Sequence, residues 1–321
     1  MDCWRFIYSQ NAGSHVFKNG LGYFLNFIFM KISGVIILRN AVINDYPAAE
    51  SIRSILPLVQ EMIVSIDPGD DNTWDVISLL NEPKIKMIRS KWDMSKREGG
   101  KVYAEETNKA LDAVSPDADW IFYIQADEVI HEKDHPAIIE TAKKFQHNNQ
   151  VEGLLFRYIH LYGTYDFVGV GRQWYRYEVR MIKNKSSVRS YKDAQGFRKG
   201  DQKINVVKVN ADVYHYGWVK SPRKMKEKID QTIVFYNSDD EGIRRYKEDV
   251  IDFTFDNFGQ LERFSGTHPA VMQERIAQQN WQLDFDLTKT TYSKKNKLLN
   301  KVEKWTGIRL FEFRNYRIIK T

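Results

Sequence analysis

Cysteine is almost missing from this chain: Cys3 is the single one in 321 residues. One thiol excludes an internal disulfide and any cysteine-built zinc site, and so little cysteine suits a reducing compartment. No G-x-G-x-x-G signature follows a candidate strand, and there is no P-loop. Neither dinucleotide nor P-loop chemistry is therefore indicated. Long apolar runs are absent too. The longest near the start, LGYFLNFIF at residues 21–29, falls short of the roughly 20 residues a bilayer requires. It also lacks the basic start and small-residue cleavage site of a signal peptide. Residues 1–29 read as an N-terminal extension, either an upstream read-through ahead of a start at Met30 or a short surface anchor. Internal repeats and low-complexity linkers are not seen.

What is present is a globular composition, 42% hydrophobic and 28% charged, with 13% aromatic residues. The length allows one large α/β domain with additions, or two domains. The formal charge of +6 is unevenly placed. Residues 289–321 hold ten Lys/Arg against two Asp/Glu, a net of +8, which leaves −2 for all the rest. Such a basic tail is either a solvated face or a patch for an anionic membrane or nucleic acid.

Apolar patterning then sets out the elements. ISGVIIL (32–38) is continuous and β-branched, as strands buried on both faces are. Helical spacing runs through 46–60, EMIVSI (61–66) is a second strand, and DPGDDN after it is a dense turn. A short helix (73–80), a strand (84–88), a helix (101–114) and the strand WIFYI (120–124) follow. Four strand–helix alternations in about a hundred residues predict a doubly wound, mostly parallel sheet. Beyond residue 134 we expect a helix over 136–147, strands over 153–161, 178–183 and 212–216, a long aromatic, glycine-rich loop over 162–177, and helices over 221–237, 241–250 and 268–279. Three regions result: 1–29, an α/β unit over 30–235, and a helical C-terminal region with its basic tail over 236–321.

The strand exits carry the chemistry. In open α/β sheets ligands sit outside the carboxyl ends of strands, and there the chain offers Asn40, Asp67 and the pair Asp127-Glu128. Two carboxylates at the rim of a core must be paired, solvated or bound to a cation. The pair is thus either a metal or substrate edge or a plain acidic turn. Hard divalent cations take carboxylate oxygens and keep water or phosphate as other ligands. Asp127 would be one ligand and His215, ending a later strand, a second. An imidazole ligand favours Mn²⁺ over Mg²⁺. The alternative for His215 is a buried histidine hydrogen-bonded to backbone.

Four segments in order resemble family 2 glycosyltransferases of the GT-A fold, of the bacterial cell-surface polysaccharide type. ISGVIILRN resembles that family's opening strand, and EMIVSIDPGDDNTWDVI its second strand, nucleotide-contacting aspartate and following turn. GGKVYAEETNKALDAVSPDADWIFYIQADEVI resembles its helix and metal-binding Asp-x-Asp strand end, and VYHYGWVKSPRKMKEK its downstream His-Tyr-Gly segment. The similarity covers residues 31–229. It implies a GT-A-like mixed, mostly parallel α/β sheet flanked by helices, with a helical C-terminal extension. It further implies metal-assisted transfer of a sugar, of hexosyl type, from a nucleotide-sugar donor to a saccharide or lipid-linked acceptor, usually with inversion. Asp67, with Asn40 and Gln125, would hold the nucleotide. Asp127 would bind the divalent cation, Mn²⁺ or Mg²⁺, with His215 completing the site. For the base that inversion needs, Asp193 within YKDAQGFR is nearest the family's position, with Glu128 and Asp201 as rivals. Gln125 departs from the family's first aspartate and Ala41 from a frequent acid. Asn108 matches a helix position often filled by Asn or Arg.

A cytoplasmic enzyme, peripheral at the inner face of the cell membrane, is the expectation, with nucleic acid not expected as a partner. Two other classes stand beside it. A nucleotidyltransferase would need a glycine-rich basic loop after the first strand, which RNAVIN does not supply. A non-enzymatic membrane- or nucleic-acid-binding protein would act through the basic tail.

Overall fold

The computed structural model describes residues 30–320 apart from residue 251; the N-terminal extension 1–29 lies outside the described residues. Strand β1 (Ile32–Leu38) is buried along its whole length, as its unbroken β-branched run predicts. Helix α1 (Ala48–Ile55) is shorter than its apolar spacing, because Pro57 turns the chain into a tight 3₁₀ turn, Leu56–Leu58. Then come β2 (Glu61–Ile66), α2 (Thr73–Ser78), β3 (Ile85–Arg89), α3 (Lys101–Asp112) and β4 (Trp120–Tyr123). The strands β3-β2-β1-β4 lie side by side and all parallel. Their carboxyl ends therefore share one edge.

The acidic segment after β4 is no open loop. Residues Glu128–Ile130 form β5, antiparallel to a later strand, and α4 (His135–Phe145) follows. Next are β6 (Gly153–Gly169), β7 (Tyr177–Lys183), β8 (Arg189–Tyr191), β9 (Gly196–Lys199) and β10 (Gln202–Val219). The sheet runs on from β4 through antiparallel β7 to β6, β10, β9 and β8, with β6 and β10 mutually parallel. The parallel character expected of the sheet thus belongs to its first half, and most antiparallel pairings fall in the second. Ser221 caps α5 (Pro222–Thr232) by accepting the Lys224 N–H. The C-terminal part holds α6 (Asp240–Asp249), β11 (Leu261–Arg263), α7 (Gln273–Ala277), α8 (Lys294–Thr306) and β12 (Tyr316–Ile318). It returns to the sheet twice, β11 on β6 and β12 on β10.

The aromatic, glycine-rich stretch expected as a loop is instead largely the second half of β6. Its glycines make room for rings. A Cβ on Gly169 would stand 2.2 Å from the Trp174 indole, and one on Gly163, at φ +72°, 2.8 Å from Phe285. Two apolar layers cover the sheet. One joins Ile36, Val64 and Phe122 to α1 and α4 through Ile52, Ile55 and Ile138. The other joins Val35, Ile63 and Ile121 to α3 through Val102, Ala110 and Leu111.

Candidate active site

A cleft of about 350 Å³ opens at the shared carboxyl edge, with Arg39, Gln125, Asp127, Asp193, His215 and Lys228 among its lining residues. An aromatic wall closes one side: Trp92 meets Tyr103 edge-on at 5.3 Å and Phe235 at 5.5 Å. The buried indole N–H of Trp92 has no protein acceptor.

Asp67 and Asn40 lie next to this cleft but do not line it. Asp67 is buried at the end of β2. One carboxylate oxygen is held by the Arg39 guanidinium and the Gly69 N–H (2.8 Å), the other by the Trp92 N–H (2.7 Å). Asn40 sits at φ +51° and accepts the Asp70 N–H at 2.7 Å. Together they fix the turns that carry Arg39 and Trp92 into the cleft. Asn108 clamps the β8 backbone, accepting the Ser190 N–H at 2.8 Å, and Asp201 is exposed between β9 and β10.

Asp127 and Glu128 are divided by the first peptide of β5. Glu128 turns into the core. Arg180 grips both of its oxygens at 2.7 Å, and the Tyr158 hydroxyl and the Gln125 N–H complete the set at 2.6 and 3.0 Å. With all its lone pairs engaged and no face on the cleft, Glu128 is not positioned to take a proton from an acceptor. Asp127 turns the other way. His215 Nε2 and Lys228 Nζ each stand 3.6 Å from its Oδ2, too far for hydrogen bonds. Lys228 instead donates to the Gly217 carbonyl at 2.8 Å. Burial opposes ionisation of Asp127, but His215, then Lys228 and Lys220, outweigh it and hold the carboxyl well below its ordinary range.

Gly217 keeps this point open. A Cβ there would lie 2.5 Å from Asp127 Oδ2 and 2.7 Å from His215 Nε2, so the glycine of the His-Tyr-Gly segment is required by close approach. A neighbour fixes the His215 ring. Strand register sets His160 beside His215, their Nδ1 atoms 3.2 Å apart, while His160 Nε2 lies 2.7 Å from the Tyr175 carbonyl. A carbonyl only accepts, so His160 carries its proton on Nε2. Burial, and then His215, pushes the His160 pKa down to about 3, so its Nδ1 is an acceptor and His215 must donate from Nδ1. The His215 Nε2 is left directed at the space beside Asp127, where it offers a lone pair whenever the ring is neutral.

A carboxylate oxygen and an imidazole lone pair facing one gap form a donor set that fits a cation of the Mn²⁺ kind. Among the described residues no group of three or more His, Cys, Asp or Glu forms a fuller cage, so further ligands would be phosphate or water oxygens. The other cations here gave little sequence signal. Lys220 and Lys228 lie 5.3 and 4.9 Å from the centre of the Tyr46 ring. Burial, followed by Lys228, pushes Lys220 down to about 7. Burial also lowers Lys228, against the pull of Asp127. The one available clue was Lys228 falling on the same helical face as buried Met225. Asp193, between β8 and β9, lines the cleft with a carboxyl that burial raises against backbone hydrogen bonds.

No protein-family model matches the chain, and no curated protein matches it. Among solved structures it is similar to S. aureus TarS, at 16% identity over 64% of this chain and 39% of that one, TM-score 0.39. It is also similar to TarS 1-349 in complex with UDP, at 14% identity over 68% and 70%, TM-score 0.37. A third is 4-diphosphocytidyl-2C-methyl-D-erythritol synthase from Anaerococcus prevotii, at 12% identity over 69% and 96%, TM-score 0.33. The chain spans 39% of the length of the first of these. The mixed α/β fold is read from the strand order itself.

Proposed function

We propose that this protein is a glycosyltransferase that moves a hexosyl-type sugar from a nucleoside diphosphate sugar to a saccharide or lipid-linked acceptor with inversion, in building a cell-surface polysaccharide. The observation that carries this is the convergence, at the carboxyl edge of four parallel strands, of a low-pKa carboxylate, an oriented imidazole and buried ammonium groups beside an aromatic wall. Such a floor suits a diphosphate, and the wall suits a base. Asp127 and His215 would hold the divalent cation, whose chemistry is to offset charge on the departing diphosphate. Arg39 and Lys228 supply fixed positive charge to the same group.

In the transfer itself the acceptor hydroxyl oxygen forms a bond to the anomeric carbon. The bond from that carbon to the diphosphate oxygen breaks, and its electron pair leaves with the nucleotide. The hydroxyl proton goes to Asp193, whose raised pKa makes it the stronger base of the two cleft carboxylates.

A thermal-shift screen of nucleotide sugars with and without Mn²⁺ tests the reading. A bound donor raises the melting temperature, and Mn²⁺ is expected to enlarge the rise. Asp127→Ala should then abolish sugar transfer in a protein that still folds. No shift with any nucleotide diphosphate sugar, or full transfer by Asp127→Ala, would overturn it.

A further inference from the structure

We propose that α8 and the segment after it, residues 294–313, form a docking face for an anionic lipid bilayer. Large apolar side chains stand out here with none of the described residues over them: Trp305 is 89% exposed, Phe311 85%, Phe313 76% and Leu298 64%, with Ile308 and Leu310 also exposed. Lysines are interleaved with them. Lys294, Leu298, Lys301 and Trp305 fall three or four residues apart and so share one helix face, and all four are exposed. Asn296, Leu299, Asn300 and Glu303 make the opposite face and are half-buried.

Both carboxylates of the segment are turned inward. Glu303 bonds Arg172 at 2.5 Å, and Glu312 bonds Arg176 at 2.8 Å and Arg314 at 2.9 Å. Buried Arg309 adds hydrogen bonds to the carbonyls of Gly171 (3.2 Å) and Trp174 (3.0 Å). What remains outside carries no negative charge: lysines, the apolar side chains and Thr306. Phe311 holds its ring outward at φ +58°, a backbone conformation that bulky residues seldom adopt.

This pattern fits a bilayer better than other occupants. At a bilayer surface, lysines interleaved with Trp, Phe and Leu extend their ammonium groups to the anionic headgroups while the apolar side chains enter the acyl boundary. Lysine is depleted where proteins meet proteins, and Leu298, Ile308 and Leu310 offer no ring for a nucleobase to stack on. The face is also bolted to the cleft. Arg172 and Arg176 of the stretch 171–176 hold Glu303 and Glu312, Arg309 holds the Trp174 carbonyl, and Tyr175 of the same stretch lines the site. Docking would hold the cleft at the lipid surface, where a lipid-linked acceptor would lie. That last consequence rests on the transfer reading; the docking does not.

The test is co-sedimentation of the full chain with vesicles of phosphatidylcholine alone or mixed with phosphatidylglycerol, at low and high salt. Binding is expected to the mixed vesicles and to weaken as salt screens the lysines. The triple variant Trp305→Ser, Phe311→Ser, Phe313→Ser should bind at least about tenfold more weakly, since each ring buries apolar area in the bilayer. Lys294→Gln with Lys297→Gln, Lys301→Gln and Lys304→Gln should lose the preference for anionic lipid. These side chains are exposed, so melting temperature and any nucleotide-sugar shift should stay as in the parent, which separates this outcome from failure of the transfer reading. Four outcomes would overturn the proposal: no binding to anionic vesicles, equal binding by the triple variant, dimerisation through these aromatics without vesicle binding, or preferential capture of RNA.

Discussion

Two acidic centres lie one peptide apart, and they differ in what they leave unfinished. Around Glu128 every oxygen is engaged by Arg180, Tyr158 or backbone at 2.6–3.0 Å, and both charged partners are within 1% of full burial. Around Asp127 the nearest groups, the Lys228 ammonium and the His215 ring nitrogen, stay at 3.6 Å, with a glycine beside them. A saturated ion pair buried in a core positions strands. An unsaturated one at a cleft is a place for a ligand. Glu128 opens β5 and Asp127 is the turn residue just before it, so the two carboxylates leave the chain towards different sides.

The sharpest way to break this contrast is to exchange the losses. Glu128→Ala leaves Arg180 charged and buried with no carboxylate, which should cost about 3–5 kcal/mol of stability and show as a large fall in melting temperature. Asp127→Asn should leave the melting temperature nearly unchanged and lower sugar transfer by about 10²–10³-fold. If Glu128→Ala were stable while Asp127→Asn unfolded, the assignment of a structural and a functional acid would be inverted.

A smaller effect is expected one residue behind the cleft. His160 touches the site only through the His215 ring, so it is a positioning residue. His160→Phe removes the acceptor for the His215 Nδ1 proton and should weaken Mn²⁺ binding about 10–100-fold. His160→Gln, which keeps an acceptor, should recover part of it. Titration calorimetry with Mn²⁺ reads this without any turnover. Equal Mn²⁺ affinity in all three proteins would show that the tautomer does not matter.

Sequence patterning went far where it depends on local periodicity. The four parallel strands and their common edge follow from continuous apolar runs separated by helical spacing, and the expected α/β class is the one observed. Among the cleft residues, Gln125, Asp127 and His215 were legible as polar residues ending apolar runs, whereas Asp193 was indicated only by the family resemblance. What escaped depends on register. His160 gains its place only because β6 lies parallel to β10, which pairs it with His215. Glu128 read like Asp127 because a doublet of acids does not say which faces inward until β5 is seen to pair with β10. Residues 162–169 read as loop because glycine admits either a turn or a close-packed ring, and here Gly169 admits Trp174.

An effect seen only as pH changes concerns a third acid, which neither centre satisfies. Glu178 lies on β7 near enough to Arg180 to feel its charge, but Arg180 is spent on Glu128. One Glu178 carboxyl oxygen is buried without a partner. Burial, opposed by Arg180 and helped by Glu128 and Asp193, pushes its pKa up to about 8 from 4.5. An acid with a raised folded pKa keeps a proton that the unfolded chain has released. Stability must therefore fall as pH climbs from about 4.5 to about 8 and level off above both values. Glu178→Gln removes that slope. It should unfold like the parent near pH 4 and be more stable above pH 8 by roughly 2–4 kcal/mol. Melting curves across pH 4–9 measure the difference. A gap between the two proteins that did not grow with pH would mean that Glu178 is ionised in the fold, with Arg180 shared between two carboxylates and the Glu128 centre less complete than its distances imply.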